Sequence, residues 1–140
     1  MAPTGSGKTL AAFLHAIDRL ITSAPPEDRQ RRCRVLYVSP LKALAVGVER
    51  NLRSPLVGIE REAARLGLPA REVRIGIRTG DTPSAERARL ATRPPDILIT
   101  TPESLFLMLT SKARESLRGI DTVIIDEVHA VACLLYTSRR

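Results

Sequence analysis

Short apolar runs rich in β-branched residues alternate with longer stretches in which apolar residues recur every three or four positions. The runs are Val35-Leu36-Tyr37-Val38, Val73-Arg74-Ile75-Gly76-Ile77, Ile97-Leu98-Ile99-Thr100 and Thr122-Val123-Ile124-Ile125. The first, third and fourth are almost wholly apolar, the pattern of parallel strands buried on both faces. Val73–Ile77 alternates instead, as a strand nearer a sheet edge does. Leu10, Phe13, Leu14, Ile17, Leu20 and Ile21 fall on one helical face and predict a helix from about Lys8 to Thr22. Leu41 to about Leu66 reads as helix, broken or kinked at Ser54-Pro55 because proline lacks the amide hydrogen. Ser84–Leu90 reads as a short helix with Ser84 as its N-cap. Glu103–Leu109 reads as another, with Pro102 in its first turn. Alternating strands and helices predict a doubly wound α/β domain, with right-handed crossovers placing helices on both faces of a parallel sheet.

Loops are marked by Ala24-Pro25-Pro26-Glu27-Asp28, Thr79-Gly80-Asp81-Thr82-Pro83 and Arg93-Pro94-Pro95-Asp96. No internal repeat or low-complexity tract interrupts them, and 140 residues make one domain. Apolar residues at 44% and charged residues at 26% exclude a wholly disordered chain. No apolar run approaches the roughly 20 residues that cross a bilayer, so no membrane is expected as a partner. The start of the chain lacks the apolar core of an export signal, and Cys33 and Cys133 are too few for a metal cage or disulfide framework. A cytoplasmic location is expected. The formal charge of +7 admits a polyanionic partner and is served equally by a solvated basic surface. Aromatics at 3%, with no Trp, argue against base stacking as the recognition mode.

The chemistry begins at Ala2-Pro3-Thr4-Gly5-Ser6-Gly7-Lys8-Thr9, a Walker A element in its A-x-x-x-x-G-K-T form. Gly5 and Gly7 permit backbone torsions closed to other residues, so successive N–H groups of Thr4 to Thr9 can turn inward around phosphate oxygens. The helix that follows directs its positive end at the same anion. Lys8 is expected to reach the β- and γ-phosphates of ATP, and the Thr9 hydroxyl to ligate Mg²⁺. The bland alternative is a glycine-rich turn before a helix. The last apolar run ends in Asp126-Glu127-Val128-His129. Ligands of doubly wound sheets collect at the carboxyl ends of strands. There Asp126 suits Mg²⁺, bound directly or through water, and Glu127 suits the base that orients and deprotonates an attacking water. An acidic turn after a strand is common, but its joint occurrence with Walker A, in this order, favours a nucleotide site. His15 has no such setting and reads as structural or exposed.

Taken together, A-x-x-G-x-G-K-T and Asp-Glu-x-His resemble the pattern of superfamily 2 helicases of the DEAD/DEAH-box type. Val38-Ser39-Pro40-Leu41-Lys42-Ala43-Leu44-Ala45 looks like motif Ia of that superfamily, and Ile99-Thr100-Thr101-Pro102-Glu103-Ser104-Leu105 like motif Ib. Arg78-Thr79-Gly80-Asp81-Thr82 resembles its glycine-containing loop. The set is similar to the large helicase-related (Lhr) group and covers about residues 2–132. The resemblance implies a RecA-like P-loop NTPase domain, truncated at both ends, the first of two in an ATP-driven 3′-to-5′ translocase. It implies work on single-stranded DNA or RNA, in DNA repair or on RNA–DNA hybrids. It assigns Lys8, Thr9, Asp126 and Glu127 to ATP and Mg²⁺, and makes His129 couple the ATP site to strand movement. Ser39, Pro40, Lys42, Thr79, Gly80, Thr101 and Pro102 would line the strand path, where small residues and backbone N–H groups suit sequence-blind phosphate contact.

The chain departs from the family pattern in several places. No strand feeds the Walker A loop, and the adenine-reading segment, the Ser-Ala-Thr motif and the second RecA-like domain with its arginine finger are missing. These features read as a piece of a longer chain. Residues 133–140 do not continue the pattern and read as the translated end of a sequencing adapter, with residues 1–132 as the partial domain. Two other readings remain open: a P-loop ATPase or kinase that does not touch nucleic acid, and an inactive truncated product.

Overall fold

The computed structural model describes residues 4–23, 26–68 and 72–125, with side chains from residue 11 onward. Among these residues four strands form one all-parallel sheet: β1 (Val35–Val38), β2 (Ile75–Arg78), β3 (Ile97–Thr100) and β4 (Thr122–Ile125). Their order is β2-β3-β1-β4, so β1 and β3 are interior. Both are buried along their whole length, which explains why their sequences carry no polar alternation. β2 occupies an edge, as its alternating pattern predicts, but it begins at Ile75 and runs through Arg78. Val73 packs into the core just ahead of the ladder instead of joining it. β4 departs from the expectation of burial on both faces: Ile124 is buried while Val123 and Ile125 are exposed. Only its Ile124 face meets a helix among the described residues.

The helices are α1 (Thr4–Thr22), α2 (Lys42–Arg65), α3 (Ser84–Thr92) and α4 (Pro102–Leu109). Two 3-10 turns, Arg29–Arg31 and Lys112–Leu117, have no counterpart in the apolar periodicity. One face of the sheet packs Phe13, Ala16, Ile17 and Leu20 of α1 and Ala45, Leu52 and Leu56 of α2 against Val35, Tyr37, Ile97, Ile99 and Ile124. The Phe13 and Tyr37 rings lie 5.1 Å apart, tilted by 40°. The opposite face packs Leu36, Val38 and Leu98 against Met108 of α4 and Leu117 of the second 3-10 turn. Helical cover on both faces is therefore present.

Three helical expectations change. α1 begins at Thr4, so Thr4–Gly7 continue the helix where a loop is expected. Extending an existing helix adds a hydrogen bond for each residue fixed, which offsets the poor propensity of glycine. α2 runs unbroken through Pro55. Leu52 and Leu56, buried on either side of that proline, anchor both halves to one core and so override the break. Ser84 is the first residue of α3, not its cap; Pro83 holds the cap position without a side-chain bond. The end of α2 follows sequence rules closely. Gly67 has φ of +71° and donates to the Ala64 carbonyl, and Leu68 donates to that of Ala63 at 2.9 Å. This is a Schellman ending, which needs a residue free of the Cβ penalty.

Candidate nucleotide and strand-binding edge

The registers place Val38, Thr100, Arg78 and Ile125 in one row across the sheet. The segments that leave β1, β2 and β3 therefore start level with one another, about 4.8 Å apart in the order β2, β3, β1. Two bonds lock the row beyond the ladder. The Ser39 amide donates to the Thr100 carbonyl at 3.0 Å, and the Thr100 hydroxyl donates to the Arg78 carbonyl at 2.8 Å.

Along that row, Ser39, Thr79 and Thr101 are buried, and each hydroxyl is engaged locally. The Ser39 hydroxyl donates to the Leu41 carbonyl at 3.1 Å, and that of Thr101 to the Ser104 hydroxyl at 3.1 Å. The Thr79 hydroxyl accepts from the Asp81 amide at 3.2 Å, while the Thr79 amide donates to the Thr82 hydroxyl at 2.9 Å. These side chains shape their loops; what they leave at the surface is Gly80, Lys42 and the half-buried Pro40 and Pro102. Pro102 opens α4 at its first turn, where the missing amide hydrogen costs nothing.

Lys42, from the segment after β1, forms an ion pair with Asp81, from the loop after β2. Because β3 lies between those strands, the pair bridges over the Thr101 segment. Arg87 of α3 donates to the carbonyls of Gly80 at 3.0 Å and Thr79 at 3.5 Å, holding the glycine loop from behind. Arg78 ends β2 partly buried beside it; burial and the Arg87 charge hold its guanidinium below the usual arginine value. Arg78, Asp81 and Arg87 are absent from the site residues expected on sequence grounds. Arg78 and Asp81 flank Thr79-Gly80, so adjacency was a usable signal. Arg87 reaches the loop through the orientation of α3, which no spacing reveals.

On the face of the sheet that α2 also covers, α1 runs antiparallel to the strands. Ala16, Arg19, Leu20 and Ser23 line a small gap with Val35 and Thr122, at the starting ends of β1 and β4, and Arg19 pairs with Asp121 at 3.8 Å. Phe13, two turns earlier, meets Tyr37 farther along β1. From Leu20 back to Thr4 the helix climbs about 24 Å at 1.5 Å per residue. Strand β1 rises only about 10 Å from Val35 to Val38. The amino end of α1, where the N–H groups of the first turn have no partner within the helix, therefore stands beyond the carboxyl edge of the sheet. The side chains of Thr4, Ser6, Lys8 and Thr9, and Asp126, Glu127, His129 and the 133–140 tail, lie outside the described residues. His15 is exposed, in line with its reading as a bystander.

A parallel sheet ordered β2-β3-β1-β4, covered on both faces and carrying its loops on one carboxyl edge, defines a RecA-like α/β domain. The DEAD/DEAH box helicase model matches residues 1–134, and the chain belongs to that family. It is 61% identical over 136 residues to the Lhr helicase/uracil glycosylase of Escherichia coli, covering 94% of this chain and 9% of that protein. It is 48% identical over 131 residues to the ATP-dependent helicase Lhr-Core of Methanocaldococcus jannaschii, covering 93% of this chain and 16% of the relative. Among solved structures, it is similar to the Mycobacterium smegmatis helicase Lhr bound to ssDNA and AMP-PNP, with a TM-score of 0.83 and 64% identity over 94% of this chain and 16% of that one. The chain thus spans well under a fifth of the length of each.

Proposed function

We propose that this chain is the ATP-binding part of the motor of a nucleic-acid helicase, a first RecA-like domain that couples ATP hydrolysis to movement along single-stranded DNA or RNA. The observation that carries the reading is the single carboxyl edge, where β4 ends and the three candidate strand-path segments start level with one another, with α1 running antiparallel so that its amino end projects past that same edge. The ATP analogue and ssDNA named with the similar mycobacterial helicase support it.

In this reading the ATP phosphates meet the amino end of α1, where the first-turn N–H groups from Thr4 to Gly7 have no partner within the helix, with Lys8 opposite the β- and γ-phosphates and Thr9 beside it. Thr9 and Asp126 would hold Mg²⁺, whose two positive charges would offset the negative charge of the phosphates. Hard oxygen donors of this kind suit that ion. Glu127 orients and deprotonates the attacking water, and His129 links that event to the strand path. Contact with the strand runs through exposed backbone at Gly80 and through Lys42, while the buried hydroxyls of Ser39, Thr79 and Thr101 fix the loops. Pro40 and Pro102 rigidify the segments between. The missing partner is a second RecA-like domain of the same longer protein, and residues 133–140 take no part. A setting in DNA repair is supported by the E. coli relative, whose name joins helicase to uracil glycosylase.

Two substitutions in the full-length protein test the assignment. Lys8→Ala should abolish ATP binding. Glu127→Gln should retain binding and lose turnover, because the water loses its base. Wild-type turnover by the Glu127→Gln protein, measured as phosphate release with single-stranded DNA present, contradicts the assignment.

A further inference from the structure

The opposite edge of the sheet, where the strands begin, carries a second concentration of positive charge. Arg29, Arg32, Arg74, Thr92, Arg93 and Pro94 line a cavity of about 270 Å³. Arg29 comes from the first 3-10 turn, Arg32 from the approach to β1, Arg74 from the approach to β2, and Arg93 from the end of α3. Four separate segments thus bring guanidinium groups to one hollow.

The charges are incompletely matched. Asp96, wholly buried, accepts from Arg32 Nε at 3.3 Å and Nη2 at 3.2 Å, and from the Arg74 amide at 2.9 Å. Among the described residues, Arg29, Arg74 and Arg93 enter no ion pair. Arg74 Nε is buried and has no hydrogen-bond partner among the described residues. A buried donor left unmade is costly, so Arg74 has little freedom to turn away from the hollow that it lines. Asp96 also fixes the site: it ties the approaches to β1 and β2 to the start of β3, so the cavity is held by the sheet itself.

We propose that this cavity binds a phosphate group. Guanidinium groups form paired, charge-assisted bonds to phosphate oxygens, and several converging forks select a tetrahedral polyanion over chloride. The volume falls below the roughly 300 Å³ at which pockets for drug-sized ligands begin. It accommodates one or two phosphate groups with water. The same chemistry is supplied by free inorganic pyrophosphate or by one phosphodiester of a nucleic-acid strand passing the domain on the side away from the ATP loop.

The test uses the full-length protein carrying Lys8→Ala, so that the nucleotide loop does not compete for phosphate. Pyrophosphate and a single-stranded oligonucleotide are titrated calorimetrically, with and without Arg29→Ala and Arg93→Ala. Both arginines are exposed, so the fold is retained, and Arg32 is left in place to keep Asp96 paired. The double substitution should weaken pyrophosphate binding at least tenfold, and Arg29→Lys with Arg93→Lys should restore only part of it, because an ammonium supplies the charge without the fork. A parallel tenfold loss for the oligonucleotide identifies a phosphodiester as the source, and an unchanged oligonucleotide affinity identifies the free anion. A loss in either titration supports the site. Changes of less than twofold in both, or no binding of either probe, overturn it.

Discussion

Cys33 sits just ahead of β1, and its thiol is pushed up to about 12 from an ordinary 9.0, first by burial and then by the nearby Asp96 charge. The folded state holds that proton more tightly than the unfolded chain. Its contribution is therefore complete below about pH 9 and lost progressively as pH climbs toward 12. With Cys133→Ser in place, Cys33 should react with Ellman's reagent in native protein at pH 8 only as fast as the chain unfolds. Urea melts should show stability falling from pH 9 upward. Rapid native-state labelling contradicts the burial argument. Gly119 is constrained by space instead of charge: a Cβ there would stand 2.2 Å from the Arg31 carbonyl oxygen and 2.8 Å from its carbon. Backbone cannot yield as a flexible side chain does, so Gly119→Ala should cost about 1–3 kcal/mol, the usual range for overpacking. Denaturant midpoints measure it, and an unchanged midpoint shows that the two 3-10 turns do not pack so closely.

At the scale of elements, legibility in the sequence follows from how local each determinant is. β1, β3 and β4 have sequence-evident limits because continuous apolar runs bounded by polar residues leave little freedom in register. The end of α2 is equally local, since one glycine sets the left-handed turn. Less local decisions escape. Pro55 breaks helices in isolation, yet Leu52 and Leu56 are both buried in the core, and tertiary packing outweighs one lost backbone bond. The start of β2 depends on where β3 offers partners, through Ile75↔Ile97, which the alternation of Val73–Ile77 cannot specify. The two 3-10 turns lack any apolar period: their side-chain caps, from Asp28 to the Gln30 amide and from Ser111 to the Ala113 amide, are polar and short-range. The candidate site divides in the same way. Thr79-Gly80 and Thr101-Pro102 are visible as motifs, whereas the grip of Arg87 on that loop comes from the docking of α3.

Across the whole molecule, the height of the sheet separates Lys42 at the carboxyl edge from the arginine-lined hollow at the edge where the strands begin. On the carboxyl edge the cation of Lys42 is held by Asp81, both of them substantially exposed. An exposed pair of this kind contributes at most about 1 kcal/mol, so it yields readily to a competing anion. A phosphate passing over the Thr101 segment must displace Asp81 from Lys42, since the pair spans that segment. It follows that Asp81→Asn should strengthen binding of single strands by the full-length protein, by releasing Lys42 and removing a repelling charge. Lys42→Ala should weaken binding and flatten its salt dependence by about 0.7 log units per log of salt, the loss of one counterion-releasing contact on a single strand. Fluorescence anisotropy from low to moderate salt measures both. The two effects should not add, because Asp81 acts through Lys42. In the Lys42→Ala background, Asp81→Asn should retain only the smaller gain from lost repulsion. Equal gains in both backgrounds would show that the ion pair does not gate the strand path.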